Sequence, residues 1–255
     1  MTVELVPELL AIDGRFFQRV LEREAIGGLT GVFSKELTET HFNRVLTLSG
    51  DEKLTGKTIR DLIERFESRG RVPCIYLNLS GVDPKLIDLL LDFGFRRHDE
   101  TLSIMYAEEW NRVSPGPDET IVVNRAGKRD RKAWASVLAE ANGMGRETLA
   151  ALERFYDRGL EAEAEMYLAR DGAKPVGTGT LVLGEDIAGI YNIGTAEAGR
   201  HRGVASALVE TMLRAARGEG LPVTLQAVTG SNAERLYKRF GFRTVSYTGI
   251  FTRAI

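Results

Sequence analysis

The segment from Tyr191 to Leu208, YNIGTAEAGRHRGVASAL, constrains this chain most. Its beginning, together with the preceding residues from Ile187, is rich in Ile, Tyr and Thr and predicts a β-strand up to Thr195. A basic loop with a glycine follows, and the apolar spacing from Val204 onward predicts an α-helix. This order is typical of a phosphate-binding site, because the first turn of a helix exposes unpaired N–H groups at the positive end of its dipole.

The loop residues suit an anion in different ways. Gly203 lets a phosphate approach without a Cβ in the way, and Ala205 keeps a nearby position small. Arg200 and Arg202 can donate charge-assisted hydrogen bonds to phosphate oxygens. The alternative interpretation is an ordinary helix start with solvated arginines.

Two motifs extend this interpretation. The sequence from Arg200 to Ala205 has the form R-x-x-G-x-A, and the sequence from Ala233 to Phe242 has the form A-x-x-L-Y-x-x-x-G-F. In this order they resemble the acetyl-CoA motif and the second signature of the GNAT superfamily of N-acetyltransferases. The resemblance covers roughly residues 118 to 255. It implies an enzyme that transfers an acetyl group from acetyl-CoA to an amine by direct attack in a ternary complex.

The resemblance also implies which residues bind the cofactor. The backbone of the last strand residues would contact the pantetheine arm in a splay between two strands, and a backbone N–H near Ile193 could polarise the thioester carbonyl. His201 to Ser206 would contact the pyrophosphate. Asn232 is included although the family often has its Asn seven residues before the tyrosine, where this chain has Gly230. The expected cofactor-binding residues are Ile193, Gly194, Thr195, Arg200, His201, Arg202, Gly203, Val204, Ala205, Ser206 and Asn232.

Tyr237 is the expected catalytic residue, a general acid that protonates the departing thiolate. With reference pKa values of about 10 for tyrosine and about 8.5 for a cysteine-like thiol, the transfer is uphill by about 2 kcal/mol. The resemblance implies a general base on the fourth or fifth strand, where many members of the family carry a glutamate. The predicted strands at residues 189–195 and 223–228 contain no acidic residue, so no base is identified. A water chain past Tyr191, or an amine of low pKa, could replace it.

Composition limits the class of protein. The 255 residues are 43% hydrophobic and 27% charged, as in an ordinary globular protein. The net charge of −2 argues against nucleic acid or an anionic membrane as a partner. No apolar run approaches the about 20 residues of a membrane span. Cys74 is the single cysteine and the three histidines are far apart, so we expect a cytoplasmic protein without a metal site.

The two halves of the chain look like repeats. Residues 73–95 align with residues 222–242, each as a strand, a turn, a helix and a closing F-G-F. The fold class expected is therefore α/β (α+β), with two tandem GNAT-like domains, each a mixed, mostly antiparallel sheet flanked by helices. The expected boundaries are a degenerate, non-catalytic domain at 1–112, a linker at 113–118 and a catalytic domain at 119–255. The first copy lacks the glycine motif and has Leu90 in place of Tyr237.

Local patterns predict further elements in each half of the chain. The periodicity predicts one helix over residues 3–26, ended by Gly27 and Gly28. Residues 165–195 predict an antiparallel meander.

The alternative function is an acyl-CoA-binding sensor or interaction module without turnover, which the missing base favours and the pair Gly203 and Tyr237 disfavours. The acceptor, the acyl chain length and the oligomeric state are not encoded in a readable motif.

Overall fold

A computed structural model describes residues 6–50, 54–111 and 118–254. The linker predicted at 113–118 lies outside the described residues except for Asp118. The chain divides into two compact units. The first comprises Met1–Met105, Gln226–Glu234 and Thr244–Ile255, and the second comprises Tyr106–Leu225 and Arg235–Arg243.

Helices and strands are found throughout the described part of the chain. The α-helices are α1 (Val6–Val20), α2 (Gly56–Glu67), α3 (Pro84–Asp92), α4 (Arg131–Ala141), α5 (Leu149–Glu161), α6 (Val204–Gly218) and α7 (Asn232–Arg239). The strands are β1 (Glu22–Ile26), β2 (Leu29–Phe33), β3 (Arg44–Leu48), β4 (Cys74–Asn78), β5 (Arg96–Ala107), β6 (Ile121–Arg125), β7 (Glu165–Asp171), β8 (Lys174–Leu183), β9 (Ala188–Thr195), β10 (Val223–Val228) and β11 (Arg243–Thr252).

In the first unit the strands follow the order β1-β2-β3-β4-β11-β5. β3 and β4 are parallel, whereas β1 with β2, β2 with β3, and β4 with β11 are antiparallel. The main hydrophobic cluster joins α2 and α3 to these strands and includes Phe66, Leu90 and Phe251, all at most 1% exposed. Leu90, which aligns with Tyr237 in the repeat, is therefore a core residue.

The helix predicted over residues 3–26 is wrong at its C-terminal end. α1 stops at Val20, and Glu22–Ile26 instead pairs with Leu29–Phe33 as an antiparallel hairpin. Gly27 and Gly28 have φ values of 56° and 90°. Two consecutive residues at positive φ form the tight turn that matches strand twist, so the glycine pair turns a hairpin rather than ending a helix.

In the second unit the order is β10-β9-β8-β7-β6. The meander of β7, β8 and β9 is antiparallel, as predicted, and β9 and β10 are parallel strands joined by α6. Gly177 and Gly179 bring α6 close to β8: a Cβ on Gly177 would lie 2.4 Å from Val204 Cγ1, and one on Gly179 would lie 2.7 Å from Met212 Cε. Both units thus have mixed, mostly antiparallel strands and helices, which confirms the predicted fold class.

The division into units differs from the single break expected near residues 113–118. Both units contain a parallel strand pair joined by a helix, as the repeat predicts. The C-terminal strand β11, however, belongs to the first unit, where Thr248 to Thr252 pair with Asn78 to Cys74 on β4. Local sequence does not indicate which neighbour a strand pairs with, so the boundary could not be read from the linker alone.

Candidate functional site

The N-terminus of α6 has the form that the sequence predicts for an anion site. Gly203 precedes the helix with φ 75°, in the left-handed region, and no side chain caps the helix. The first intrahelical bond runs from Ala207 N to Gly203 O over 2.9 Å. The N–H groups of the residues from Val204 to Ser206 therefore have no acceptor within the helix. Val204 contributes only its backbone there, because its side chain is 1% exposed and packs toward Gly177.

The basic residues of the loop differ in their surroundings. Arg200 and His201 are exposed, and the side chain of neither makes a hydrogen bond or an ion pair to a residue that the structure describes. The backbone N–H of Arg200 donates to Glu197 O over 3.1 Å. Arg202 is fully engaged: Nε lies 2.8 Å from Asp118 Oδ2, Nη1 lies 2.5 Å from Asp171 Oδ2, and Nη2 lies 3.1 Å from Thr120 Oγ1. No local pattern in the sequence indicates this difference between the two arginines.

A β-bulge interrupts β9 just before this loop. The register with β8 passes from Thr180 opposite Tyr191 to Thr178 opposite Gly194, so Asn192 and Ile193 face a single residue. Asn192 has φ 53°, which few residues other than glycine adopt.

Two threonines of β8 hold Asn192 in this conformation. Thr178 Oγ1 donates to Asn192 O over 3.0 Å, and Asn192 Nδ2 donates to Thr180 Oγ1 over 3.1 Å. Sequence reasoning missed all three residues. An asparagine within a β-rich run was the available signal, because asparagine is depleted in strands and enriched in the left-handed region.

The expected pantetheine-binding segment lies at the end of β9. Its register with β10 covers only Ala188 to Ile190, opposite Val223 to Leu225, whereas β9 itself continues to Thr195. Gly194 is buried against α4, since a Cβ there would lie 2.9 Å from Ala141 Cβ. Ile193 and Thr195 are partly exposed. This arrangement resembles the predicted splay, with strand backbone continuing beyond the paired residues.

Tyr237 lies on α7 and is 6% exposed. Its ring packs against Phe242 with centroids 6.1 Å apart and an interplanar angle of 58°. The hydroxyl makes no hydrogen bond to any residue in the described parts of the chain. Burial raises the pKa of Tyr237 above its ordinary value. The hydroxyl is therefore a stable proton holder, although proton transfer from it is more uphill than the reference value of tyrosine suggests.

Asn232 and its neighbours belong to the first unit. Asn232 is exposed, and Ser231 caps the helix: Ser231 Oγ accepts from Glu234 N over 3.1 Å. Glu234, 4% exposed, was not singled out by the sequence analysis. Its carboxylate accepts from Gly230 N over 2.8 Å and from Ser103 Oγ over 2.9 Å. The sequence S-x-x-E, typical of a helix start, was the available signal.

The acidic residues near the loop do not supply an evident base. Glu185 and Asp186 are exposed in the turn between β8 and β9, and Glu197 is exposed after β9. Glu140 is an exposed carboxylate that accepts from Glu197 N over 2.8 Å. Within residues 6–50, 54–111 and 118–254, no group of three or more His, Cys, Asp or Glu could hold a metal ion. No helix in these same ranges has the length and apolarity to cross a membrane.

The fold and the loop define an α/β protein with an uncapped, glycine-started helix after a bulged strand. Residues 132–242 match the family profile described as "Acetyltransferase (GNAT) family", so this part of the chain is similar to GNAT acetyltransferases. No curated protein sequence matches the chain.

Similar solved structures cover nearly the whole chain. A GCN5-related N-acetyltransferase from Kribbella flavida has a TM-score of 0.72 at 14% identity, covering 97% of this chain and 95% of its own. A tandem GNAT protein from the clavulanic acid biosynthesis pathway has a TM-score of 0.60 at 12% identity, with 88% and 77% covered. A GNAT-family acetyltransferase from Colwellia psychrerythraea has a TM-score of 0.54 at 14% identity, with 98% and 97% covered. At these identities the likeness establishes the fold.

Proposed function

We propose that the second unit is an N-acetyltransferase that moves an acetyl group from acetyl-CoA to an amine by direct attack in a ternary complex. The observation that carries this proposal is the start of α6. Gly203 has a left-handed backbone conformation, and the first turn of α6 lacks a side-chain cap. The preceding strand β9 continues beyond the residues that pair with β10. The matching family profile over residues 132–242 supports the same reaction class.

The residues present fit acetyl-CoA, which supplies an activated acetyl thioester. Backbone N–H groups from Val204 to Ser206 would bind the pyrophosphate, and the exposed Arg200 would add positive charge. The backbone of Ile193 to Thr195 would bind the pantetheine arm. The bulge at Asn192 leaves an extra residue outside the regular ladder, so an N–H near Ile193 is suited to donate to the thioester carbonyl.

Tyr237 would supply the proton that the departing thiolate needs. Its hydroxyl has no competing partner among the described residues, and its raised pKa keeps it protonated at neutral pH. No carboxylate lies on β9 or β10 among these residues, so the acceptor would lose its proton to water or react as an amine of low pKa. A cytoplasmic location is part of this proposal, on the grounds of the single buried cysteine.

The first unit would not take part in the chemistry. Its helix α2, which occupies the place of α6 in the repeat, is already capped: Thr55 Oγ1 accepts from Thr58 N over 3.2 Å. Leu90 replaces Tyr237 and is completely buried. A capped helix start offers fewer free N–H groups to a phosphate, and a leucine has no proton to transfer.

The test is release of free thiol from acetyl-CoA with a panel of amines: small amines, amino acids, aminoglycosides, peptide N-termini and lysine peptides. We expect turnover with one acceptor class, and product mass should show one added acetyl group. Gly203→Glu should abolish it by repelling the phosphates, and Gly203→Gln should reduce it less, since it strains the backbone without adding charge.

The matched control is Gly220→Glu. Gly220 has φ 72°, almost the same as Gly203, it follows the other end of α6, and no atom lies within 4 Å of its Cβ position. It should bear the same backbone strain and leave turnover unchanged. Acetyl-CoA binding without thiol release for any acceptor would contradict the enzyme and support the acyl-CoA-binding module. Residual turnover in a folded Gly203→Glu variant would contradict the location of the site.

A further inference from the structure

Arg202 is the residue of the basic loop whose charge is already balanced. All three nitrogens of its guanidinium have oxygen partners, on Asp118, Asp171 and Thr120. Its backbone is tied to the same place, because Asp118 N donates to Arg202 O over 3.3 Å. The hydrogen bond from Arg202 is also the main cause that lowers the pKa of the Asp171 carboxyl group.

The partners of Arg202 lie at the ends of two paired strands. Asp171 is the last residue of β7, and Ile121, at the start of β6, is its partner in the register. Asp118 and Thr120 immediately precede β6. The side chain of Arg202 therefore links the loop before α6 to the β6–β7 edge of the same unit.

The backbone of the loop needs such a link. His201 and Gly203, on either side of Arg202, both have positive φ, at 62° and 75°. A non-glycine residue in the left-handed region costs free energy, and it persists only where surrounding contacts fix it. The side chains of Arg200 and His201 make no hydrogen bond to the described residues, so Arg202 carries the side-chain contacts that fix this turn.

Charge leads to the same assignment. Arg202 and its two carboxylates together carry one net negative charge, so the group as a whole does not attract a phosphate. An arginine available to an anion resembles Arg200, which is exposed and unpaired among the described residues.

We propose that Arg202 is a positioning residue and not a ligand of the cofactor. It holds the turn from His201 to Gly203 so that the N–H groups of the α6 start face the pyrophosphate. This inference rests on the proposed function, and it removes Arg202 from the expected phosphate ligands while leaving Arg200 among them.

The two roles of Arg202 predict opposite effects of neutralising its partner. Dissociation constants for coenzyme A and for pantetheine, which lacks the pyrophosphate, are measured by calorimetry with wild type, Arg202→Met, Asp171→Asn and the double variant. A positioning role predicts that Arg202→Met and Asp171→Asn each weaken coenzyme A binding, the first by about tenfold. It also predicts that their effects in the double variant are less than additive, and that pantetheine binding stays unchanged.

A ligand role predicts the contrary sign. Asp171→Asn would then release Arg202 toward the phosphate and tighten coenzyme A binding, which would overturn the inference. Equal loss for coenzyme A and pantetheine would also overturn it, since that pattern indicates general destabilisation. Asp118→Asn repeats the test at the second carboxylate if Asp171→Asn does not fold.

Arg131→Met is the matched control. Arg131, at the start of α4, is another arginine held by two carboxylates, both on α5. Its Nη1 lies 2.9 Å from Asp157 Oδ2, and its Nε lies 3.0 Å from Glu153 Oε2. It should leave both affinities unchanged. If wild type itself binds no coenzyme A, the proposed function fails, whereas binding in wild type with tighter binding in Asp171→Asn defeats only the role given to Arg202.

Discussion

Removing the Tyr237 hydroxyl should separate catalysis from stability. In Tyr237→Phe no hydrogen bond to a described residue is lost and the buried ring remains, so we expect the free energy of unfolding to change by less than about 0.5 kcal/mol. A positioned general acid contributes roughly 100-fold or more to the rate. We therefore expect kcat to fall about 100-fold, which is about 2.7 kcal/mol in activation free energy.

Tyr156→Phe is the reciprocal control in the same unit. Tyr156 is buried, and its hydroxyl donates to Gly127 O over 2.9 Å. Its loss should cost about 1 kcal/mol of stability and lower the Tm by about 2–4 °C, with kcat unchanged. The assay combines thermal unfolding with thiol release at saturating acetyl-CoA.

The pH profile adds an independent check on Tyr237. Burial raises the pKa of its hydroxyl, so the proton-donating form is present below the ordinary tyrosine value of about 10 and is lost only as the pH rises through a still higher value. Wild type should therefore show no decline from this group up to pH about 10. A kcat within threefold of wild type in Tyr237→Phe would refute the general acid. A wild-type decline near pH 8 that this variant abolishes would instead contradict the raised pKa of Tyr237.

Three further sets of variants probe the packing that supports the candidate site and the first unit. Asn192→Gly keeps the left-handed conformation and loses only the hydrogen bond to Thr180, whereas Asn192→Ala also adds backbone strain. The rate of acetyl transfer should therefore fall less in Asn192→Gly than in Asn192→Ala. Equal rates in the two variants would contradict a role for the bulge. Arg44→Leu leaves the buried Asp13 carboxylate without its partner at 3.1 Å and should lower the free energy of unfolding, measured by chemical denaturation, by about 3–5 kcal/mol. The double variant with Asp13→Leu should recover most of this loss. Additive losses in the double variant would contradict the coupling between the two residues. Glu234→Leu should lower the free energy of unfolding by about 1–3 kcal/mol, because the donors Ser103 Oγ and Gly230 N lose their acceptor. Glu234→Gln should lower it less. A larger loss in Glu234→Gln than in Glu234→Leu would contradict the assigned hydrogen bonds.

Local patterns predict much of the fold and the centre of the candidate site. The strand, loop and helix around Gly203 were predictable because alternation, helical spacing and a glycine before the helix are all properties of one short segment. The meander of β7 to β9 follows from the same kind of signal.

Features that depend on distant residues were not predictable. Arg202 reads as a phosphate ligand in the sequence, but one of its partners is Asp118, 84 residues earlier. The left-handed Asn192 depends on threonines of the neighbouring strand. Strand β11 pairs with β4, which lies far earlier in the chain, and a strand's own sequence does not specify its partner.

Calorimetric titration with coenzyme A tests the central claim most directly, namely that the start of α6 binds the cofactor. The comparison is between wild type, Gly203→Glu and Gly220→Glu at the two ends of the same helix. We predict a dissociation constant near micromolar, about −8 kcal/mol, for wild type and Gly220→Glu, and its loss in Gly203→Glu. Absence of binding at millimolar ligand in wild type, or unchanged binding in Gly203→Glu, would contradict the account.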